Sequence, residues 1–233
     1  MKYLCSLILL CHFSITAQTK TYVVNKTKRD IKVTGEGSDK AWENAFVLTE
    51  FLHPWQPKNL PTTTFRALWS NTHLYFLYCV EDTEIIAPQR NLGELDAVES
   101  DRVEIFFKAA DETKPYYSLE MDALGRYLDS DAEFYKNNID FDWDWPKNDF
   151  TLKASQNDKG YIVEGAISLA SLRKLGIYKD DGILNAGLYR GEYYRKDSDK
   201  IGIKWISWVV ANPDKPNFHV PNSFGVLKLE NNE

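Results

Sequence analysis

The chain has 233 residues, of which 43% are hydrophobic and 27% charged, with a formal net charge of −6. These fractions are typical of a soluble globular protein, and 12 Gly and 9 Pro are too few for a collagen-like or low-complexity chain. Because there is no basic excess, the charge balance argues against nucleic-acid binding. Aromatic residues make up 14% of the chain, so rings are available for a binding surface.

Residues 1–17 have the pattern of a cleaved secretory signal: a positive start, a mostly apolar stretch and a small residue, Ala17, before the cleavage point. The apolar stretch is shorter than the roughly 18 residues that a membrane span needs, and no later run reaches that length. We therefore expect no transmembrane segment, and a single secreted or periplasmic domain over residues 18–233. Cys79 is the only cysteine in that domain, so no internal disulfide is expected.

Beyond the signal, short runs with strand-like alternation are separated by turn signals. One convincing helix is predicted from Leu169 to Leu175, with Ser168 as its cap and Gly176 as its stop. Many strands at short spacing predict an all-β fold, an antiparallel two-sheet β-sandwich of jelly-roll type with one short helix. The predicted strands are residues 63–69, 73–81, 102–108, 116–122, 125–130, 151–155, 161–167, 184–194, 204–210 and 224–229.

The segment 140–145 (DFDWDW) alternates acidic and aromatic residues. On an extended chain this order places three carboxylates on one face and three rings on the other. One interpretation is an aromatic platform for a flat ligand such as a sugar ring, supplied by Trp143 and Trp145. The other is an edge strand whose rings cap the core, because alternation is the ordinary signal of a strand.

Carboxylates are abundant enough to suggest a glycoside hydrolase, which places two carboxyl groups across the scissile bond. Glu104, Glu120 and Asp122 are among the candidates, but with 34 acidic residues closeness in sequence does not single out a pair. There is no G-x-S-x-G elbow, no His or Cys pair with zinc-ligand spacing and no C-x-x-C-H haem attachment site. The sequence therefore favours binding over catalysis.

Two acidic segments, residues 81–84 and 94–101, contain the hard oxygen ligands that calcium prefers. Neither segment matches an EF-hand loop, and acidic turns are the simpler explanation. If a structural calcium ion is bound, the candidate ligands are Asp82, Glu84 and Asp101.

Five segments resemble, in the right order, the family 9 carbohydrate-binding modules, sandwich domains related to the DOMON group. The most specific is Ser100–Phe106 (SDRVEIF), which is similar to the D-x-V-E-I-F strand of that family. The resemblance implies sugar binding without catalysis, often in a module attached to a glycoside hydrolase, and structural calcium ions. The other segments are 35–45 (GEGSDKAWENA), 66–82 (RALWSNTHLYFLYCVED), 160–167 (GYIVEGAI) and 218–225 (FHVPNSFG).

The resemblance carries the binding residues over only in part. In this family two Trp rings sandwich the terminal sugar; one position is Val98 here, so that ring is missing, and the other is Phe218, a smaller ring. The acid that bonds sugar hydroxyls matches Glu104. Arg190 resembles an Arg on a late strand of many relatives, and its planar donor fork suits a carboxylate or paired hydroxyls. Alternatively, Arg190 forms a salt bridge inside the sandwich with Glu104 or Glu120.

The sequence thus predicts a secreted, non-catalytic protein that binds an oligo- or polysaccharide and supports polysaccharide degradation. We expect the hydrolase it serves to be a separate chain, and we expect Phe218 to lie in a loop with its ring exposed, because Pro221 disfavours a central strand there. Two alternatives stay open, a glycoside hydrolase in its own right and a surface scaffold that binds no sugar. The predicted contacts are Glu104, Glu120, Arg190, Phe218 and His219, with Trp143 or Trp145 in place of the missing ring.

Overall fold

The computed structural model describes residues 19–53, 55, 61–134, 138–197, 200–210 and 214–231, so the predicted signal sequence lies outside the described residues. Strands dominate, and the helices α1 (Leu95–Val98) and α2 (Leu169–Lys174) and two 3-10 turns (Lys40–Asn44 and Pro221–Ser223) are short. The strands are β1 Thr21–Lys26, β2 Thr63–Trp69, β3 His73–Glu81, β4 Arg102–Lys108, β5 Tyr116–Asp122, β6 Tyr127–Glu133, β7 Asn138–Asp140, β8 Phe150–Asn157, β9 Gly160–Ser168, β10 Ile183–Asp197, β11 Lys200–Ser207 and β12 Gly225–Glu230.

The strands form one continuous, curled sheet in the order β7-β6-β5-β4-β10-β12-β1-β2-β3-β9-β8, and β11 pairs with β10. The curl brings β4, β5 and β10 to face β2, β3 and β9, since their inward side chains share one core. The Tyr78 hydroxyl of β3 crosses that core and donates to the Glu104 carbonyl of β4 at 3.0 Å. The predicted all-β, sandwich-like fold is confirmed. Most pairs are antiparallel, but β1 runs parallel to both β12 and β2, which a local pattern does not reveal.

Strand β4 shows how the alternation positions a site. Val103, Ile105 and Phe107 are at most 1% exposed and belong to the main core. The residues between them point to the opposite face, as the two-residue period of a strand requires. That face is also covered, because Phe106 joins a second aromatic cluster with Phe218 and Phe224. The outer face of β4 therefore becomes the floor of a cleft instead of an open surface.

The helix signals of the sequence act as predicted at α2. The Ser168 hydroxyl accepts from the Ser171 backbone N–H at 3.0 Å, and Gly176 follows the helix with φ +74°. Helix α1 is not predicted by the sequence. Among the described residues no helix has the length and apolar character to cross a membrane.

The alternating segment 140–145 is extended only as far as Asp140, where β7 ends. The Asp140 carboxylate accepts from the Asp142 backbone N–H at 3.0 Å, an Asx turn that redirects the chain. In consequence Phe141 is 50% exposed while Trp145 is only 5% exposed. The prediction of three rings on one extended face is therefore wrong.

Candidate functional site

The site begins with two carboxylates on neighbouring strands. The antiparallel register of β4 and β5 places Glu104 directly opposite Glu120, and like charges in that relation repel. Arg102 lies two residues before Glu104, on the same face of β4. Its Nε atom is 2.9 Å from Glu104 Oε1 and 2.8 Å from Glu120 Oε2, so one guanidinium holds both carboxylates. We call these three residues the charged floor.

The charged floor is almost fully buried, since Arg102, Glu104 and Glu120 are 3%, 2% and 8% exposed. Desolvation is the largest cause that raises the pKa of Glu104; Arg102 opposes it, Glu120 adds to it, and the net result is a pKa of about 8. Near neutral pH the Glu104 carboxyl therefore retains its proton. A neutral carboxyl both donates and accepts hydrogen bonds, which suits the hydroxyl groups of a ligand.

Two aromatic residues, Trp205 and Phe218, form a wall beside the charged floor. Trp205, on β11, is half-buried. The residue opposite it on β10 is Gly191, which has no side chain to cover the ring. A Cβ at Gly191 would lie 3.1 Å from Arg102 Nη1, so the glycine also makes room for the guanidinium. The guanidinium carbon of Arg102 is 5.3 Å from the centre of the Trp205 ring, within cation–π range.

Phe218 completes the wall. It lies outside the regular elements, as predicted. Its ring stacks on Tyr189 with centroids 4.2 Å apart and planes at 10°, and the Trp205 ring meets it edge to face at 5.6 Å. Phe218 is only 6% exposed, so the expectation of an exposed ring is wrong: the rings of Tyr189, Trp205 and Trp55 pack against it.

His219 stands at the rim. The residue as a whole is exposed, but its ring lies against Phe106 and Tyr116. Partial desolvation lowers the pKa of the imidazole, against the opposite effect of Glu120, and its Nδ1 atom shares a hydrogen bond of 2.7 Å with the Tyr116 hydroxyl. The cleft has a volume of about 190 Å³ and is lined by Arg102, Glu104, Glu120, Trp205, Pro216, Asn217, Phe218 and His219.

Arg190 lies on the other side of the sheet. It pairs with Val103 across β10 and β4, so its side chain shares the core face, and it is 0% exposed. Its Nη2 atom is 2.6 Å from Glu192 Oε2 and 3.6 Å from Asp82 Oδ2. Both predicted arrangements, a ligand contact beside Glu104 and a bridge to Glu104 or Glu120, are therefore wrong.

Trp143 and Trp145 also lie away from the cleft. Trp145 belongs to the main core, and its indole N–H donates to the Ser171 hydroxyl at 3.1 Å. Trp143 is half-buried against Tyr117, with ring centroids 5.0 Å apart. These rings cap the core, as the alternative interpretation of the segment holds, and do not replace the ring missing at Val98.

The predicted calcium ligands are engaged by other groups. Asp101 is fully buried and accepts the backbone N–H groups of Ile86 and Tyr193 at 2.6 Å each. Asp82 faces Arg190, and Glu84 Oε1 is 2.6 Å from the Arg195 Nε atom. These contacts leave the three acids without a shared site for an ion.

A different group of acidic residues brings its carboxylates close together. Glu94, Asp129 and Asp144 each offer one oxygen, all within 4.8 Å of one another. Asp129 is 2% exposed, and its Oδ1 atom has no hydrogen-bond partner in the part of the chain that the structure describes. Burial and then the charge of Asp144 raise the pKa of Asp129, against the hydrogen bond from the Trp145 N–H. A hard oxygen-seeking cation such as Ca²⁺ would satisfy this donor set.

Four residues that line the cleft, Arg102, Trp205, Pro216 and Asn217, are absent from the sequence-based prediction. Arg102 could have been found from β4 alone, because it stands two positions before Glu104 in the quoted SDRVEIF motif. Trp205 depends on the pairing of β10 with β11, which leaves no local signal.

The family model described as carbohydrate family 9 binding domain-like matches residues 33–232. Among curated proteins, the exoglucanase XynX of Acetivibrio thermocellus is 26% identical over 170 residues, which are 72% of this chain and 14% of that protein. The chain therefore corresponds to a small part of that relative.

Solved structures share the fold. A candidate carbohydrate-binding protein from Bacteroides uniformis superposes with a TM-score of 0.70 at 16% identity, covering 91% of this chain and 100% of its own. A family 9 carbohydrate-binding module from Caldicellulosiruptor kristjanssonii, in complex with glucose, gives 0.61 at 20% identity, covering 92% and 97%. The same organism's module with cellotriose gives 0.62 at 18%, covering 92% and 95%.

Proposed function

Because this chain belongs to the family 9 carbohydrate-binding domains, we propose that its cleft binds a neutral sugar without cleaving it. The observation that carries the proposal is that the charged floor and the half-buried ring of Trp205 line one concave site. Apolar ring faces next to a few polar groups that fix orientation are what small-ligand sites require. The glucose and cellotriose bound by structural neighbours are ligands of this kind.

The charge of the floor supports a neutral ligand over an acidic one. Arg102 compensates Glu120, and Glu104 retains a proton near neutral pH because its pKa is raised to about 8. Among the described residues Arg102 is the one cation that lines the cleft, and it is already paired, so the carboxylate of a uronic acid would lose its hydration there without gaining a counter-charge. A neutral sugar meets the same hydrogen-bonding groups without that cost.

The same geometry supports binding over hydrolysis. A glycoside hydrolase places its two carboxyl groups on opposite sides of the scissile bond. Glu104 and Glu120 instead lie side by side on one floor, and both contact the same nitrogen of Arg102. We further propose that the domain works outside the cytoplasm after cleavage near Ala17 and supports a glycoside hydrolase in polysaccharide breakdown.

The test is calorimetric titration with glucose, cellotriose and glucuronic acid. We expect saturable binding of the two neutral sugars and none of glucuronic acid. Trp205→Ala should weaken neutral-sugar binding about tenfold or more, because stacking and burial of a ring contribute at least ~1.4 kcal/mol. Trp143→Ala is the matched control and should bind as the parent protein does.

Unchanged affinity in Trp205→Ala, with the fold verified by circular dichroism, would overturn the proposed cleft. Absence of saturable binding to any neutral sugar would favour the scaffold alternative. Release of reducing sugar from a polysaccharide panel by the purified chain would instead support a hydrolase.

A further inference from the structure

A second depression lies on the same face as the cleft. It has a volume of about 480 Å³ and an apolar lining supplied mainly by Ile85, Ile86, Pro88, Tyr193 and Ile201. We call it the aliphatic groove. It is larger than the cleft, and neither the charged floor nor Trp205 contributes to its lining.

The aliphatic groove adjoins the cleft. The Val98 carbonyl accepts from Arg102 Nη1 at 2.6 Å, on the cleft side, and from the Tyr193 hydroxyl at 2.9 Å, on the groove side. One backbone carbonyl thus links Arg102, which lines the cleft, to Tyr193, which lines the groove. The two depressions are therefore neighbours on the surface.

The β10–β11 ribbon joins the two depressions along one face. Its register pairs Gly191 with Trp205, Tyr193 with Ile203 and Arg195 with Ile201, and alternate pairs of this kind share a face. Trp205 and Ile201 are four residues apart on β11, a distance of roughly 13 Å along the strand. A chain-like ligand that starts in the cleft therefore reaches the groove within a short length.

The charges at the groove are already paired. Arg90 Nη1 is 2.7 Å from Glu99 Oε2, and Arg195 Nε is 2.6 Å from Glu84 Oε1. The ion pairs leave the groove without a net charge to attract an ionic ligand. Its side chains are mainly aliphatic, and Ile201 remains 46% exposed. Aliphatic surfaces bury small apolar groups, and the aromatic residue of the lining, Tyr193, has its hydroxyl engaged by the Val98 carbonyl.

We propose that the aliphatic groove binds an acyl substituent, such as an acetyl ester, of a saccharide whose neighbouring sugar occupies the cleft. This inference rests on the proposed function, because the cleft supplies the anchoring sugar. The methyl end of the acyl group packs on Ile201 and Pro88, and its ester oxygens stay at the rim near the ion-paired arginines. The domain then prefers acylated chains over unsubstituted ones.

The experiment compares partially acetylated cello-oligosaccharides with the same sample after alkaline deacetylation, by calorimetry on the full chain. The acetylated sample should bind about fourfold more tightly for each methyl buried. Ile201→Asp should abolish that preference and leave the affinity for the deacetylated sample unchanged. Val47→Asp, at another exposed aliphatic residue that is 48% exposed and does not line the groove, should keep both affinities.

Equal affinity of the parent protein for the two samples overturns this inference while the proposed function stands. A preference that survives in Ile201→Asp overturns it as well, because the acyl group then binds elsewhere. If neither sample binds, both the inference and the proposed function fail. Melting temperatures of the two variants verify their folding.

Discussion

Replacement of Glu104 by glutamine should make the domain more stable at alkaline pH. The pKa of Glu104 is raised from 4.5 to about 8, mainly by desolvation. When a carboxyl group has a higher pKa in the folded protein than in the unfolded chain, its contribution to stability is complete at pH values below the pKa of the unfolded chain. That contribution is lost as the pH rises through the pKa of the folded protein. At 1.36 kcal/mol per pKa unit, the loss between pH 4.5 and pH 8 is at most about 5 kcal/mol. Gln cannot ionise and escapes this loss.

The measurement is urea unfolding of the parent and Glu104→Gln at pH 5, 7 and 8.5, followed by tryptophan fluorescence. We expect nearly equal free energies of unfolding at pH 5 and an advantage of several kcal/mol for the variant at pH 8.5. Asp101, whose pKa is also raised to about 7, affects both proteins alike and cancels. Glu43→Gln, at an exposed position, is the control. A gap between parent and Glu104→Gln that stays constant from pH 5 to 8.5 would refute the reasoning and show that Arg102 keeps Glu104 ionised.

Three further predictions concern the rest of the domain. Calcium bound by Glu94, Asp129 and Asp144 should stabilise the domain by about 2.7 kcal/mol when its concentration is 100 times the dissociation constant. EDTA should therefore lower the melting temperature of the parent protein but not that of Asp129→Asn, and equal responses of the two proteins would exclude this site. Arg190→Met removes the cation nearest to the carboxylates of Glu192 and Asp82 and leaves Glu192 the longer contact to Lys204, so it should cost about 3–5 kcal/mol in urea unfolding; a loss below about 1 kcal/mol would contradict the buried network. Trp145→Ala should cost about 3–5 kcal/mol of stability, while cellotriose affinity, measured on folded protein, should stay that of the parent.

Local patterns in the sequence predict much of the strand arrangement. The alternation in β4 and the cap and stop of α2 are visible without the fold, because the dihedral geometry that they demand is local. The Glu104–Arg102 relation is local in the same sense. The same local reasoning misplaces Arg190, because its face depends on the register of β10 against β4, in which Arg190 pairs with Val103, 87 residues earlier in the chain.

The burial of Phe218 and the role of Trp205 have the same origin. Pro221 correctly indicates that Phe218 lies outside a central strand, but exposure of a ring depends on its neighbours, and Tyr189 and Trp205 are distant in sequence. The turn after Asp140 is a case in which a local feature of the sequence was overlooked. There a single local hydrogen bond, from the Asp142 N–H, outweighs an alternation that predicts a longer strand.

The position of β10 has a consequence for the folding of the whole domain. This 15-residue strand is hydrogen-bonded to β4, to β12 and to β11, so it belongs at once to the half of the sheet that forms the cleft and to the half that leads on to β1 and β2. Among the described strands the hydrogen-bonded path between the halves passes through β10 and β12. Neither half can detach without breaking the hydrogen bonds between β10 and β12. We therefore expect the cleft and the core to unfold together, in one cooperative transition.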